Sequence, residues 1–209
     1  MSMRLDERDP HSTRQRLTHL TGVVLCGGES RRMGRDKGLL PIGDSCWAVH
    51  MAGKMAAWQI PVVYSINLRQ EASYGAVISP ELLVIDAIGL PGPLEGLFSV
   101  HKKLPGRDLL LLACDMPDLD TATVATLLDA YREEGDKSAF FVFQDGSSFA
   151  EPFCGIYTAA GLAGAYQLAV AGKLSDLSLQ SLLRRGPTKK IPITNKDVFR
   201  NYNEKGPAY

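Results

Sequence analysis

The chain has 209 residues, of which 45% are hydrophobic and 22% charged, the proportions of an ordinary globular protein. That length fills one α/β domain and is short for two. The 23 basic and 23 acidic side chains cancel, which excludes a chain-wide basic footprint for gripping nucleic acid, so any anion site has to come from a local cluster.

The first twenty residues mix both charge signs without an apolar stretch, so they do not read as a signal peptide. Residues 1–18 are expected to form a disordered tail ahead of a single domain over 19–209. The longest strongly apolar run, 109–114, is far below the roughly 20 residues a membrane span needs. A soluble, cytoplasmic chain is the expectation, with no membrane partner. Cys26, Cys46, Cys114 and Cys154 stand alone, without a CxxC pair or a histidine at zinc spacing. They read as reduced thiols in small core sites rather than as a disulfide framework.

In chain order, residues 21–26 (TGVVLC) predict a first strand, followed by a loop rich in glycine and arginine and a helix over about 45–58. Residues 61–66 and 82–86 predict the second and third strands. The Gly/Pro loop 89–96 (GLPGPLEG) opens a helix to about Lys103, with Pro93 suited to a first turn where its missing N–H is no loss. Residues 108–114 form a continuous apolar strand that ends at Asp115, and Asp120 is placed to cap a helix over 121–134. Strands over 138–144 and 153–157 are joined by the turn chemistry of Gln144, Asp145, Gly146 and Ser147. Helices over 159–171 and 177–185 and a short strand over 189–193 complete the series. This alternation predicts a doubly wound, mostly parallel sheet with helices on both faces, and the pair in the 140s and 150s predicts one antiparallel element within it.

In such sheets ligands sit at the carboxyl ends of the strands. The candidate polar residues fall there: Gly27, Gly28, Arg31, Arg32 and Lys37 after the first strand, Ser65 and Asn67 after the second, Asp86 after the third and Asp115 after the buried strand. Between residues 27 and 40 the loop holds four basic residues (Arg31, Arg32, Arg35 and Lys37) and two acidic ones (Glu29 and Asp36). Paired glycines let successive backbone N–H groups approach a phosphate, and the cations neutralise it. The loop is not a Walker A sequence, because Gly38 follows Lys37, and it is not GxGxxG, because Cys26 precedes two adjacent glycines. Asp115, at the end of a buried strand, must meet a cavity, a cation or a metal, or else cap the following turn. A Mg²⁺ site needs only one or two carboxylates, since phosphates and waters supply the remaining ligands. His11, His19, His50 and His101 lie in the tail or on predicted helices and read as solvated or structural.

The segments LCGGESRRMGRDKGLL, PGPLEGL, CDMPDL and FRNYN, spread over residues 25–203, resemble the molybdenum cofactor guanylyltransferase family. The family pattern reads LAGG…RMG…DK…LL, GPLAG, CDMP.L and a late N.N, in the same order. The resemblance implies a Rossmann-like nucleotidyltransferase of the nucleotide-diphospho-sugar transferase type, with a nucleotide half to about residue 115 and an acceptor half after it. It implies transfer of GMP from GTP to molybdopterin with Mg²⁺, and contact with molybdoenzyme maturation proteins. It implies that Leu25, Cys26 and Gly27 meet the nucleotide through backbone, that Lys37 meets its phosphates, that Asp86 helps to bind the guanosine, and that Asp115 binds nucleotide and metal; Gly28, as the second loop glycine, and Arg32, as a loop cation, are expected to join them at the triphosphate. Ser65 stands where relatives often carry Asn, with Asn67 two residues on, so either could contact the nucleotide. Cys26 replaces the usual Ala, and Glu151 precedes Pro152 where His or Gln is familiar. Use of CTP on molybdopterin, or of an NTP on a sugar phosphate, fits the same fold. A nucleotide-binding regulatory domain without turnover is the alternative of another class, and it has no need of Asp115.

Overall fold

The computed structural model describes residues 16–27, 36–146 and 149–202. Seven strands form one sheet in the order β5-β4-β1-β6-β8-β7-β9. They are β1 (Leu20–Leu25), β4 (Val62–Ile66), β5 (Leu83–Ile85), β6 (Asp108–Ala113), β7 (Phe140–Gln144), β8 (Ala150–Tyr157) and β9 (Thr188–Pro192). Pairing is parallel for β1 with β4, β4 with β5, β1 with β6 and β7 with β9, whereas β8 runs antiparallel to both β6 and β7. The expected antiparallel element is therefore β8 alone.

The second half of β1 (residues 23–25) and β6 from Leu109 are apolar at successive positions because both faces of the sheet are covered. On one face, Leu20, Val24, Leu110 and Leu112 pack with α1 (Trp47–Ala56) through Met51 and Met55 and with α4 (Thr121–Glu134) through Leu127 and Leu128. On the other, Val23, Leu25, Leu109 and Leu111 meet Leu97 of α3 (Pro93–Lys103) and Leu162 of α5 (Ala159–Val170), together with Leu179 and Leu182 of α6 (Leu179–Leu183). Each fully buried leucine contributes about 1.5–3 kcal/mol. The two-residue alternation of side chains thus divides one apolar run between two cores.

Two pieces had no counterpart in the sequence reading. Residues expected to begin the first helix instead close a hairpin, β2 (Pro41–Ile42) with β3 (Ser45–Cys46), turning through Gly43 at φ +53°, so α1 starts at Trp47. A short helix, α2 (Glu71–Gly75), follows a 3-10 turn at Leu68–Gln70. Both are too short to display a period. By contrast α4 starts and ends where expected, with Asp120 accepting from Thr123 N at 2.7 Å.

Residues 1–15 of the expected tail lie outside the described residues, while 16–18 form a helical turn against the domain. Arg16 donates to Tyr131 O at 2.9 Å, ion-pairs with Asp136 and lies over the Tyr131 ring, and Leu17 packs on the core. All four cysteines are buried and unbridged. Among the described residues no helix is long and apolar enough to cross a membrane.

Candidate active site

The carboxyl ends of β1, β4, β5 and β6 are joined by backbone hydrogen bonds into one rigid edge. Cys26 N and Gly27 N both donate to Ser65 O, at 2.9 and 3.0 Å, and Cys114 N donates to Leu25 O at 3.1 Å. Asp86 N donates to Ile66 O at 2.9 Å, so the third strand enters in register with the second. The candidate residues Leu25, Cys26, Gly27, Ser65, Asn67, Asp86 and Asp115 therefore share this edge. Gly28 and Arg32, with the neighbouring Arg31 and Arg35, lie outside the described residues.

Lys37 reaches across this edge to Asp115, with Nζ 3.1 Å from Oδ2 and side-chain exposures of 19% and 21%. The pair joins the end of the basic loop to the end of β6 across 78 residues of sequence. Asp36, which the sequence reading counted only as an acidic loop residue, fixes the lysine in place. Its carboxylate accepts from Gly38 N at 3.0 Å and Tyr74 OH at 2.7 Å, and also from Gln70 Nε2. Gln70 Nε2 also donates to Cys26 O at 3.0 Å, which ties the 3-10 turn before α2 to the residue after β1. Gly38 is required here, because an added Cβ would lie 2.1 Å from Tyr74 OH.

The loop carrying Asp115 is held from several sides. Met116 is fully buried, and a ring nitrogen of His50 on α1 lies 3.2 Å from Pro117 O. The terminal segment returns to the same loop. Tyr202 N donates to Asp115 O at 3.0 Å, Tyr202 OH donates to Asp118 Oδ2 at 2.5 Å, and the Tyr202 ring meets Trp47 edge-on at 6.0 Å. The late FRNYN segment thus acts as a strap over the CDMPDL segment. Glu151 accepts from Phe153 N at 3.0 Å, and burial, with the Asp115 charge adding to it, pushes its carboxyl up.

Asp86 has a different environment. An added Cβ at Gly27 would lie 3.3 Å from Asp86 Oδ2, so the glycine leaves space in front of the carboxylate. Burial first, and then the charge of Glu95, raises the Asp86 carboxyl to about 6, while the Ser65 hydroxyl, near the carboxyl but outside hydrogen-bonding geometry, pulls it back. Ser65 Oγ and Asp86 Oδ1 are both buried without a hydrogen-bond partner among the described residues. A buried polar atom left in that state costs about 1–3 kcal/mol, so a polar group of a ligand that reached either would be favoured. Asn67 is used locally: its side chain accepts from Arg69 N at 3.0 Å, and its backbone N–H donates to Gln70 Oε1 at 2.8 Å. Of the two residues the sequence left open, Ser65 is the one whose side-chain oxygen meets no protein donor. Gly96 allows α3 to approach, since a Cβ there would lie 2.3 Å from Ser65 Oγ and 2.5 Å from Leu25 Cδ1.

Among the described residues no three His, Cys, Asp or Glu side chains come together. Asp115 alone fits a Mg²⁺ ion that takes most of its ligands from phosphates and water, and does not fit an all-protein cage. A separate cavity of about 600 Å³, lined by Asp108, Thr158, Gly161 and Gly186, lies by the amino end of β6 rather than at this edge. Asp108 there is already occupied, accepting from Ala159 N at 2.8 Å and from Tyr131 OH.

Residues 22–189 match the MobA-like NTP transferase domain. The chain is 31% identical to a probable molybdenum cofactor guanylyltransferase of Opitutus terrae, over 88% of this chain and 89% of that one. It is also 31% identical to a protein of the same description from Trichormus variabilis, over 68% of this chain and 67% of that one. The crystal structure of molybdopterin-guanine dinucleotide biosynthesis protein A from Archaeoglobus fulgidus shares the fold, with a TM-score of 0.69 and 17% identity over 88% of this chain and 92% of that one. With the family model matched over most of the chain, the chain belongs to the MobA-like NTP transferase family and is a nucleotidyltransferase related to the molybdenum cofactor guanylyltransferases.

Proposed function

We propose that the chain transfers GMP from GTP to the terminal phosphate of molybdopterin and releases pyrophosphate. The observation that carries this reading is the meeting of Lys37 and Asp115 at 3.1 Å, beside the unsatisfied Ser65 and Asp86. A cation donor, a carboxylate suited to a metal and two polar side chains that could meet a nucleoside then lie along one edge. An acceptor phosphate is already an anion, so the reaction needs no nucleophile-activating base. An acceptor oxygen forms a bond to the α-phosphorus, and the bond from that phosphorus to the oxygen bridging to the β-phosphate breaks. Catalysis reduces to in-line placement and charge stabilisation.

In this reading Lys37, with Arg32 from the preceding loop, takes the charge of the triphosphate and then of the departing pyrophosphate. Asp115 would hold Mg²⁺, which would supply positive charge to neutralise the reacting phosphates. Asp86 accepts from the N1–H and N2–H₂ donors of guanine, a pairing that neither adenine nor cytosine satisfies. The backbone of residues 25–28 approaches the nucleotide from β1, and the residues after 115 face the acceptor. The same reading places the reaction in the cytoplasm, with molybdoenzyme maturation proteins downstream.

Asp115→Asn tests it. Asn caps a turn about as well as Asp, so a capping role survives the change, whereas a metal ligand does not. The expected result is a folded protein melting within a few degrees of wild type, with transfer nearly abolished and its Mg²⁺ dependence weakened. Equal activity at equal Mg²⁺ removes Asp115 from the site.

A further inference from the structure

Glu95 is a buried carboxylate in the first turn of α3, and all its described hydrogen-bond partners belong to the loop after Asp86 or to its own helix. Its Oε1 accepts from Ile88 N at 2.8 Å and its Oε2 from Leu90 N. Ser99, one turn further along the helix, donates to Glu95 Oε1 at 3.4 Å and accepts from Ala87 N at 2.9 Å. Three of the four amides at positions 87–90 therefore end on this pair. Gly89 and Gly92, at φ +86° and +78°, allow the chain to fold back tightly enough for them to do so.

The two neighbouring carboxylates thus have different surroundings. Glu95 meets donors on both oxygens, whereas Asp86 Oδ1 meets none among the described residues. We infer that Glu95 is a positioning residue for base selection: by gathering the loop amides it fixes residues 87–90 and leaves Asp86 as the carboxylate that receives the N–H donors of the base. This inference rests on the reading of Asp86 as the guanine contact. In its absence the loop loses its anchor and Asp86 loses its fixed direction. The triphosphate contacts around Lys37 do not pass through this loop.

Binding of guanosine, adenosine and inorganic tripolyphosphate to the wild type, Glu95→Gln, Glu95→Ala and Asp86→Ala proteins, measured by calorimetry, separates the outcomes. Loss of one or two buried hydrogen bonds predicts guanosine binding weakened roughly ten- to hundredfold in Glu95→Ala. The guanosine-to-adenosine ratio falls toward one, while tripolyphosphate binds as in wild type. Glu95→Gln keeps the volume but turns an amide N–H₂ toward one loop N–H, so it shows a smaller loss in the same direction, and it decides the matter if the alanine variant does not fold. Unchanged discrimination in folded Glu95→Gln and Glu95→Ala overturns the inference, as does an equal loss of guanosine and tripolyphosphate binding, which marks a merely structural role. Asp86→Ala distinguishes the two layers. If it discriminates normally, the reading of Asp86 fails and this inference with it; if Asp86→Ala loses discrimination and the Glu95 variants keep it, only the role of Glu95 fails.

Discussion

Asp86 should destabilise the protein at neutral pH, and Asp86→Asn should relieve that cost. Burial and Glu95 raise the carboxyl from its ordinary 3.8 to about 6. A group raised in the folded state contributes its stability in full below the unfolded value and loses it as pH rises through the folded value. At 1.36 kcal/mol per unit, and allowing for the solvent that still reaches a half-buried side chain, the raised carboxyl makes the charged form cost on the order of 1–2 kcal/mol above pH 6. Asparagine stays neutral and nearly isosteric, so its advantage should be absent at pH 4, open between pH 4 and 6.5 and level off at higher pH. At roughly 2–4 °C per kcal/mol for a domain of this size, the melting temperatures separate by several degrees at pH 7.5. Any fixed cost of the unpaired amide shifts the whole curve without changing its slope. Urea unfolding of both proteins across pH 4–8 reads the gap directly, and GTP affinity measured in parallel should fall in the more stable variant. A gap that is flat with pH, or a wild type that gains on the variant as pH rises, would refute the reasoning. A flat gap means a carboxyl at its ordinary value, and a gain by the wild type means a carboxylate that is paired in the folded protein.

Substitutions at two other residues test the frame around Asp115. Lys37→Ala removes the cation 3.1 Å from Asp115, and GTP binding and transfer should together fall by roughly two to three orders of magnitude, as for loss of one preorganised donor. Kinetics near wild type would make Lys37 a structural partner of Asp115 and shift the phosphate role to Arg32. Tyr202→Phe deletes the hydroxyl bond to Asp118 and should cost about 1 kcal/mol in chemical unfolding. Tyr202→Ala also removes the ring against Trp47 and should lower kcat while the KM for GTP changes little, since the strap holds the Asp115 loop and not Ser65 or Asp86. A rise in KM alone would place the strap elsewhere in the cycle.

The elements legible from sequence were those whose burial repeats along the chain. The runs of β1 and β6 and the capped helix after Asp120 carry their own signal, because each position reports a face. The hairpin at 41–46 and the helix at Glu71–Gly75 carry none, being shorter than the period that would reveal them. The site divides in the same way. Residues at strand ends, such as Asp86 and Asp115, announce themselves as polar groups closing apolar runs. Their supports do not. Asp36 finds Gln70 and Tyr74 more than thirty residues away, and Tyr202 finds Asp118 84 residues away, through a fold that no local window contains. Glu95 was hidden for another reason: an acid in a first helical turn reads as an ordinary match to the helix dipole, and only the structure shows its oxygens turned onto the loop.

The central claim is the identity of the donor and the product. The purified protein, supplied with Mg²⁺, molybdopterin and each of GTP, CTP, ATP and UTP in turn, should form pyrophosphate and a molybdopterin dinucleotide whose mass carries guanine. Product with GTP far exceeding that with the other three is the result this account predicts. A cytosine dinucleotide as the main product would contradict the role given to Asp86, and GTP binding without pyrophosphate release would contradict the transfer itself.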